Sequence, residues 1–167
     1  MKIMLSLFLL FGAQIHAQKL LLDVLPLINS KVVYKNVLEV SGASKIELQK
    51  KSVLWFDNMH ILITENKPLD DTHQFISGDH SFKTLWGPND FPELHKEIKF
   101  KISLTLKNER YQCEISTFIV KEPRQATQLE VYKMDHKRLY KYNKVFYKRI
   151  DAEIRGLMAS LEKTMVQ

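Results

Sequence analysis

The sequence contains a single cysteine, Cys113, among 167 residues. One thiol cannot form an intrachain disulfide, so a hydrophobic core has to supply the stability of the fold. Glycines are also scarce, with five in the chain, and no Gly-x-Ser-x-Gly, His-Glu-x-x-His or glycine-rich phosphate-binding motif occurs. These absences exclude the common signatures of serine hydrolases, zinc peptidases and P-loop proteins. We therefore predict no catalytic residue, no cofactor and no metal ligand, and favour a non-enzymatic protein.

Long apolar runs are absent as well, and the one apolar stretch of note lies at the N-terminus. Residues 3–13 are apolar, follow Lys2 and precede Ile15-His-Ala17. This order is typical of a secretory signal peptide, because a membrane-spanning helix needs about 20 apolar residues. We expect cleavage after Ala17 and export to the periplasm or the extracellular space, with a buried element or an uncleaved anchor as the alternatives. Gln18 stands where a lipoprotein would need cysteine.

Charge is distributed unevenly along the chain. Residues 19–122 contain fourteen Lys and Arg against fourteen Asp and Glu, whereas residues 123–167 contain ten against five. Most of the net charge of +6 therefore belongs to the C-terminal segment. A basic segment of this kind suits an anionic membrane surface or a protein of the envelope. No nucleic-acid partner is expected, because export would separate the chain from its usual cytoplasmic partners.

Local patterns predict the elements of the first half. Val32–Val40 has the β-branched and aromatic composition of a strand. Ser44-Lys-Ile-Glu47 fits a capping box and predicts a helix over about Lys45–Asn58, with Trp55 on its buried face. The remaining predictions are a short apolar segment at Ile61–Thr64, a surface loop at Glu65–Asp71, a strand at His73–Phe82 in which Gly78 marks a bulge or a close backbone approach, and a loop at Trp86–Pro92.

The clearest pattern is a hairpin. Glu97–Leu106 alternates apolar and polar residues, and Tyr111–Val120 returns as its antiparallel partner after a turn at Lys107–Arg110. Cys113 is predicted to be a buried structural thiol that shares its face with Ile115 and Thr117. The opposite face of the first strand is predicted to be solvated and carries Lys99, Lys101, Ser103 and Thr105.

A long amphipathic helix is predicted from about Met134. One side is apolar: Leu139, Tyr142, Phe146, Ile150, Ile154, Leu157, Leu161 and Met165. The other side supplies the candidate surface-binding residues: Lys137, Arg138, Lys141, Lys144, Lys148 and Arg149. Two interpretations stay open, a helix that packs on the sheet with its lysines in water, and a helix that binds an anionic lipid surface or a partner.

Several of these segments together resemble a known family, the domain of unknown function 4468, which is found mainly in exported Bacteroidetes proteins. The resemblance rests on Val40-Ser-Gly-Ala-Ser-Lys-Ile-Glu-Leu48, Trp55, Ser77-Gly78 and Arg110-Tyr111, and covers about Leu21–Glu122. It implies an α+β domain of the TBP-like fold, an antiparallel sheet with helices packed on one face in the order β-α-β-β-β-α. It implies no activity and no DNA binding, because function has to be argued from a site.

The chain is thus expected to comprise a signal peptide (1–17), an α+β domain of the TBP-like type (18–122) and a basic C-terminal helical segment (123–167). His73 and His80 accompany Asp70, Asp71 and Asp79, but their spacing on a strand does not supply the three or four convergent ligands of a metal site. The leading hypothesis is an exported, non-enzymatic binding or structural module of the cell envelope. The alternatives are a small secreted enzyme with its site in the 65–92 loops, and a peripheral envelope protein that uses the basic helix.

Overall fold

Six strands of the chain form one antiparallel sheet, and a separate pair forms a small hairpin. The computed structural model describes residues 24–86, 95–122, 125–132 and 142–167. The predicted signal peptide and the expected cleavage site after Ala17 lie outside these residues. The strands are β1 (Leu27–Ile28), β2 (Lys31–Val32), β3 (Tyr34–Glu39), β4 (Leu62–Pro68), β5 (Gln74–Leu85), β6 (His95–Lys107), β7 (Arg110–Glu122) and β8 (Gln125–Gln128). The order in the large sheet is β3-β7-β6-β5-β4, and β8 pairs with β7.

The first helix, α1, spans Lys45–Asn58, the range that the capping-box pattern predicts. Ser44 caps it as expected, because its side chain accepts a hydrogen bond from the Glu47 amide while the Glu47 carboxylate accepts one from the Ser44 amide. The helix ends where His60 adopts a left-handed φ of 54°. The Ile61 amide then donates to the Phe56 carbonyl over 2.9 Å, which closes the last turn.

The second helix, α2, spans Asn143–Val166, and its predicted apolar side is buried. Phe146, Ile150 and Ile154 are completely buried, in one core with the helix α1 and the sheet. The Trp55 indole of α1 donates to the Ser160 hydroxyl of α2 over 3.2 Å, so the two helices also contact each other. The described part of the C-terminal helix therefore packs on the domain, as the first of the two interpretations predicts. Residues 133–141 lie outside the described residues.

Alternation along the central strands explains why one face of the sheet is covered by helices. Ile98, Phe100, Ile102, Leu104 and Leu106 of β6 are buried, and their register partners on β7 include Cys113 and Ile115, which are also buried. The α+β fold with helices on one face is confirmed. The predicted strands of the hairpin are confirmed too, each extending a few residues further than the alternation indicates.

The loop predicted at Glu65–Asp71 is wrong in its first half. Strand β4 continues through this segment to Pro68 and pairs with β5, from Leu62 opposite Asp79 to Pro68 opposite Gln74. The segment lacks apolar alternation because β4 is an edge strand with mostly exposed side chains, and hydrogen bonds to β5 rather than burial hold it. Strand β4 is therefore an additional strand after α1, relative to the order β-α-β-β-β-α that the family resemblance implies.

Polar contacts connect the middle of α2 to β3 and join β6 to the end of β7. Tyr34 donates to Asp151 over 3.0 Å, and Arg155 donates to both oxygens of the same carboxylate. Between the start of β6 and the end of β7, the buried Lys96 lies 2.6 Å from Glu122. Burial opposes ionisation of Glu122, yet its pKa lies below the usual value because hydrogen bonds, first of all from Lys96, stabilise the carboxylate.

Within the described ranges, neither helix combines the length and the apolar content that a bilayer crossing requires.

Candidate functional site

The face of the sheet that the described helices leave uncovered contains a β-bulge in β7. Lys99 pairs with Ile119 and Lys101 pairs with Ser116, so Phe100 of β6 lies opposite two residues of β7, Thr117 and Phe118. The extra residue shifts the alternation, and both Ile115 and Phe118 point into the core. Thr117 is therefore exposed, and the prediction that it shares the face of Cys113 is wrong.

Thr117 is held in the left-handed region with a φ of 60°. A β-branched residue rarely adopts this conformation, because its side chain crowds the following carbonyl group at a cost of about 1–2 kcal/mol. Its side chain is exposed, so packing does not compensate for the strain. Strained residues of this kind tend to occur at functional sites, so the bulge is a candidate functional site.

Replacing Thr117 by glycine is expected to raise the free energy of unfolding by about 1 kcal/mol, because glycine adopts positive φ without a steric penalty. The adjacent Ser116→Gly variant is the matched control. Ser116 has no positive φ, so glycine there only adds chain entropy to the unfolded state and should lower stability by about 0.5–1 kcal/mol. Urea unfolding of both variants measures the difference, and equal losses of stability would show that the bulge is not strained.

Thr117 lines a groove of about 490 Å³, which we call the bulge groove. Strand β4 contributes Leu62 to its lining, β5 contributes Asp79 and Ser81, β6 contributes Lys99 and Lys101, β7 contributes Thr117 and Ile119, and the end of α1 contributes His60. The volume lies within the range of about 300–1,000 Å³ that small-molecule sites occupy. A neighbouring groove of about 280 Å³ shares Thr117 and Ile119 with it, so the depression continues across β7.

Polar groups in the bulge groove differ from those elsewhere on the same face. Lys121 lies 3.6 Å from Glu97, and Lys67 lies 3.3 Å from Glu65. Lys101, by contrast, has no acidic oxygen within 4.0 Å among the described residues, although Asp79 stands directly opposite it in the register of β5 and β6. An unpaired lysine and an unpaired carboxylate at one cavity form an arrangement that a ligand can complete.

His80 belongs to the same groove but is partly withdrawn from water. Its ring packs edge-to-face against Phe100, with centroids 5.6 Å apart. Burial lowers the pKa of His80, so the imidazole is neutral at pH 7. Within the described residues no hydrogen bond joins His80 to Asp79, which leaves no acid–base pair assembled in the groove.

The histidine and aspartates of the 65–92 segment do not come together with His80. His73 Nδ1 lies 2.9 Å from Asp70 Oδ2, and Thr72 donates to Asp70 from both its amide and its hydroxyl over 2.7 Å. The hydrogen bond from the Thr72 hydroxyl, followed by that from the His73 side chain and then that from the Thr72 amide, holds the pKa of Asp70 well below its usual value. This turn precedes β5, and the stretch of strand from Gln74 to His80 separates it from the groove by about 20 Å.

The described residues offer neither a group of metal ligands nor a reactive thiol. Across the described ranges, no three His, Cys, Asp or Glu side chains are grouped so that they could hold a metal ion. Cys113 is buried as predicted. Burial, and next the neighbouring Glu114, raise the pKa of its thiol to about 12, so the sulfur is protonated at neutral pH.

Three of the six candidate surface-binding residues lie in the described part of the C-terminal segment, and their environments differ. Lys144 and Lys148 are exposed one turn apart on α2. Arg149 is half-buried, and its guanidinium donates to the Leu85 carbonyl at the end of β5. Lys137, Arg138 and Lys141 lie outside the described residues. A role of this segment in surface binding therefore stays a prediction.

The bulge groove does not follow from the sequence patterns, because its members come from five elements. His60, Asp79, Lys101 and Thr117 are brought together by strand register and by the bulge, and neither follows from the pattern of any one strand. The only signal in the sequence is Leu62, an apolar residue that precedes a polar stretch. It is 73% exposed in the structure, the largest value among the large hydrophobic residues described.

The similarity of this chain to known proteins is a similarity of fold. No family model and no curated protein matches the chain. Among solved structures, a TBP-like protein from Parabacteroides distasonis matches with a TM-score of 0.62 at 20% identity, over 84% of this chain and 96% of that one. The chain has the TBP-like fold. A DUF4468 family protein from Bacteroides ovatus has the same TM-score at 12% identity, over 83% of this chain and 90% of that one.

The TBP-like fold confirms the resemblance that the sequence indicates, at the level of structure. Residues 1–122 make up about 73% of the 167 residues, so a match over 84% must include part of the C-terminal segment. The likeness therefore extends past Glu122, where the sequence resemblance ends. At these identities the likeness concerns the fold, and the site has to be argued from this chain's own residues.

Proposed function

We propose that this chain is a non-enzymatic binding module of the bacterial cell envelope and that the bulge groove is its binding site. The observation that carries the proposal is the convergence on one cavity of a strained threonine with a lysine and an aspartate that have no ion-pair partner within the described ranges. Elsewhere on that face several charges are neutralised by neighbours on the sheet. A ligand at such a site would exchange the water around these groups for its own polar groups.

The absence of an assembled acid–base pair in the groove supports binding over catalysis. A general base needs a hydrogen-bonded partner or substrate within about 3 Å and a pKa near the working pH. His80 packs on Phe100 instead, with a lowered pKa, and the Asp70–His73 pair lies in a turn at a distance from the groove. The alternative is a small secreted enzyme with its site in the 65–92 loops, and residues 65–86, the described part of that segment, give it no such geometry.

Mapping by NMR can locate the binding site before its natural ligand is identified. The protein labelled with ¹⁵N is titrated separately with small acids, amines, amides and alcohols, and amide shifts are recorded. We expect the shifts caused by several of these probes to cluster at Asp79–Ser81, Lys99–Lys101 and Thr117–Ile119, because ligand sites attract diverse fragments. Shifts that scatter over the surface, or that cluster on another face, would contradict the proposed site.

Export is the second part of the proposal and is supported by the composition of residues 1–17. Full-length protein produced in Bacteroides ovatus, the source of one of the similar structures, is expected in the periplasmic or secreted fraction with a mass that corresponds to a chain beginning at Gln18. A variant that begins at Met followed by Gln18 is the control and is expected to stay in the cytoplasm. Full-length mass in the cytoplasmic fraction would contradict export.

A further inference from the structure

The bulge groove contains more groups that can bind an anion than groups that can bind a cation. Lys99 and Lys101 carry the positive charges of the lining, and Ser81 and Thr117 add hydroxyl donors. Lys99 is only loosely engaged, since its Nζ lies 4.0 Å from Glu97 and its side chain is 48% exposed. Against these, Asp79 is the single carboxylate of the lining. The local charge therefore favours a negatively charged group.

Apolar side chains flank this cationic centre. Leu62 projects from the first residue of β4, and Ile119 lies on β7 directly after the bulge. Leu62 is 73% exposed although it is a large aliphatic residue. A ligand with an apolar portion would remove this surface from water, which favours binding by about 25 cal/mol per Å² buried.

We infer that the bulge groove binds a small amphiphilic anion, with its carboxylate or phosphate head at Lys99 and Lys101 and its apolar tail over one of the two flanking side chains, Leu62 on β4 or Ile119 on β7. This inference rests on the proposed function and specifies the ligand class of the same site. Asp79 faces Lys101 across the strands and opposes the negative head. Within the lining, the two lysines attract an anion and the carboxylate of Asp79 repels it. The balance of these effects sets the affinity.

Octanoate and octyl phosphate are the probes, and octylammonium and octanol are the matched cationic and neutral compounds. The three charged compounds are titrated into the ¹⁵N-labelled protein below their critical micelle concentrations, and octanol is titrated below its solubility limit. We expect octanoate, octyl phosphate or both to bind in the groove more tightly than the other two compounds. The two anions separate a carboxylate site from a phosphate site, and either result supports the inference.

Two substitutions of opposite effect test the charge argument. Lys101→Gln is expected to weaken binding of the anionic probe about fivefold, the upper range for an exposed ion pair. Asp79→Asn is expected to strengthen it severalfold, a gain that mere damage to the fold would not produce. Lys107→Gln lies on the same strand and face, six residues away, and should leave the affinity unchanged.

The outcomes separate the ligand class from the site. Octylammonium or octanol binding in the groove as tightly as the anions would overturn the anionic class while leaving the proposed binding site intact. Failure of all four compounds to shift the groove amides, together with scattered fragment shifts, would overturn both. Equal weakening by Lys101→Gln and Lys107→Gln would also overturn the inference, because it would show general charge attraction.

Discussion

Replacing Gly78 by alanine is expected to lower the free energy of unfolding by about 3 kcal/mol, the upper range for overpacking a core. A Cβ atom at this position would lie 2.7 Å from the Leu62 carbonyl oxygen, 2.7 Å from Phe56 Cε1 and 2.9 Å from Ile61 Cγ2. Two of these neighbours are a backbone atom and a fully buried ring, so neither can move away at low cost. Gly78 thus permits β4 to approach β5 and α1 closely.

Gly156→Ala is the matched control for this variant. Gly156 lies inside α2, and apart from the backbone of its own helix and its chain neighbours no described atom lies within 4 Å of an added Cβ. Alanine in a helix interior should therefore raise stability by about 1 kcal/mol. Urea unfolding of the two variants gives both values. A Gly78→Ala variant as stable as the unsubstituted protein would show that the close approach of β4 is not present in solution.

Replacing Ile154 by alanine is expected to destabilise the protein by about 3 kcal/mol, because it removes a completely buried aliphatic side chain and leaves a cavity. The result bears on domain organisation, since it makes α2 part of the core that the sheet and α1 form. Val145→Ala on the same helix is the control. Val145 is 42% exposed, so its truncation should change stability by no more than about 0.5 kcal/mol.

Equal effects of these two α2 substitutions in urea unfolding would contradict the packing of α2 on the domain. They would favour instead the interpretation in which the basic C-terminal helix is free to bind a surface or a partner. A single cooperative transition reported equally by Trp55 and Trp86 fluorescence and by helical circular dichroism would support one shared core.

The parts of the fold that the sequence predicts are those governed by local periodicity. Helix α1 has a capping box that acts within four residues, and the hairpin β6–β7 has a period of two over ten residues. Both patterns arise from burial of one face, which the sequence records directly. Strand β4 has no such pattern, because an edge strand is held by main-chain hydrogen bonds that are independent of side-chain type.

The candidate site was harder to predict because it depends on register. The bulge at Thr117 changes which residues of β7 face the core, and alternation alone placed Thr117 beside Cys113. Threonine is also an unexpected residue for a left-handed position, where glycine is usual. Only the structure shows that Asp79 stands opposite Lys101 and that Leu62 lies beside them.

The central claim is that the bulge groove, on the sheet face that the described helices leave uncovered, binds the ligand. Intermolecular nuclear Overhauser effects with octanoate test this claim most directly. With methyl-labelled protein, we expect contacts from the octanoate chain to the methyl groups of Leu62 or of Ile119, the two side chains that flank the lysines, and none to Val145 of α2. Contacts confined to α2 or to another surface would contradict the claim.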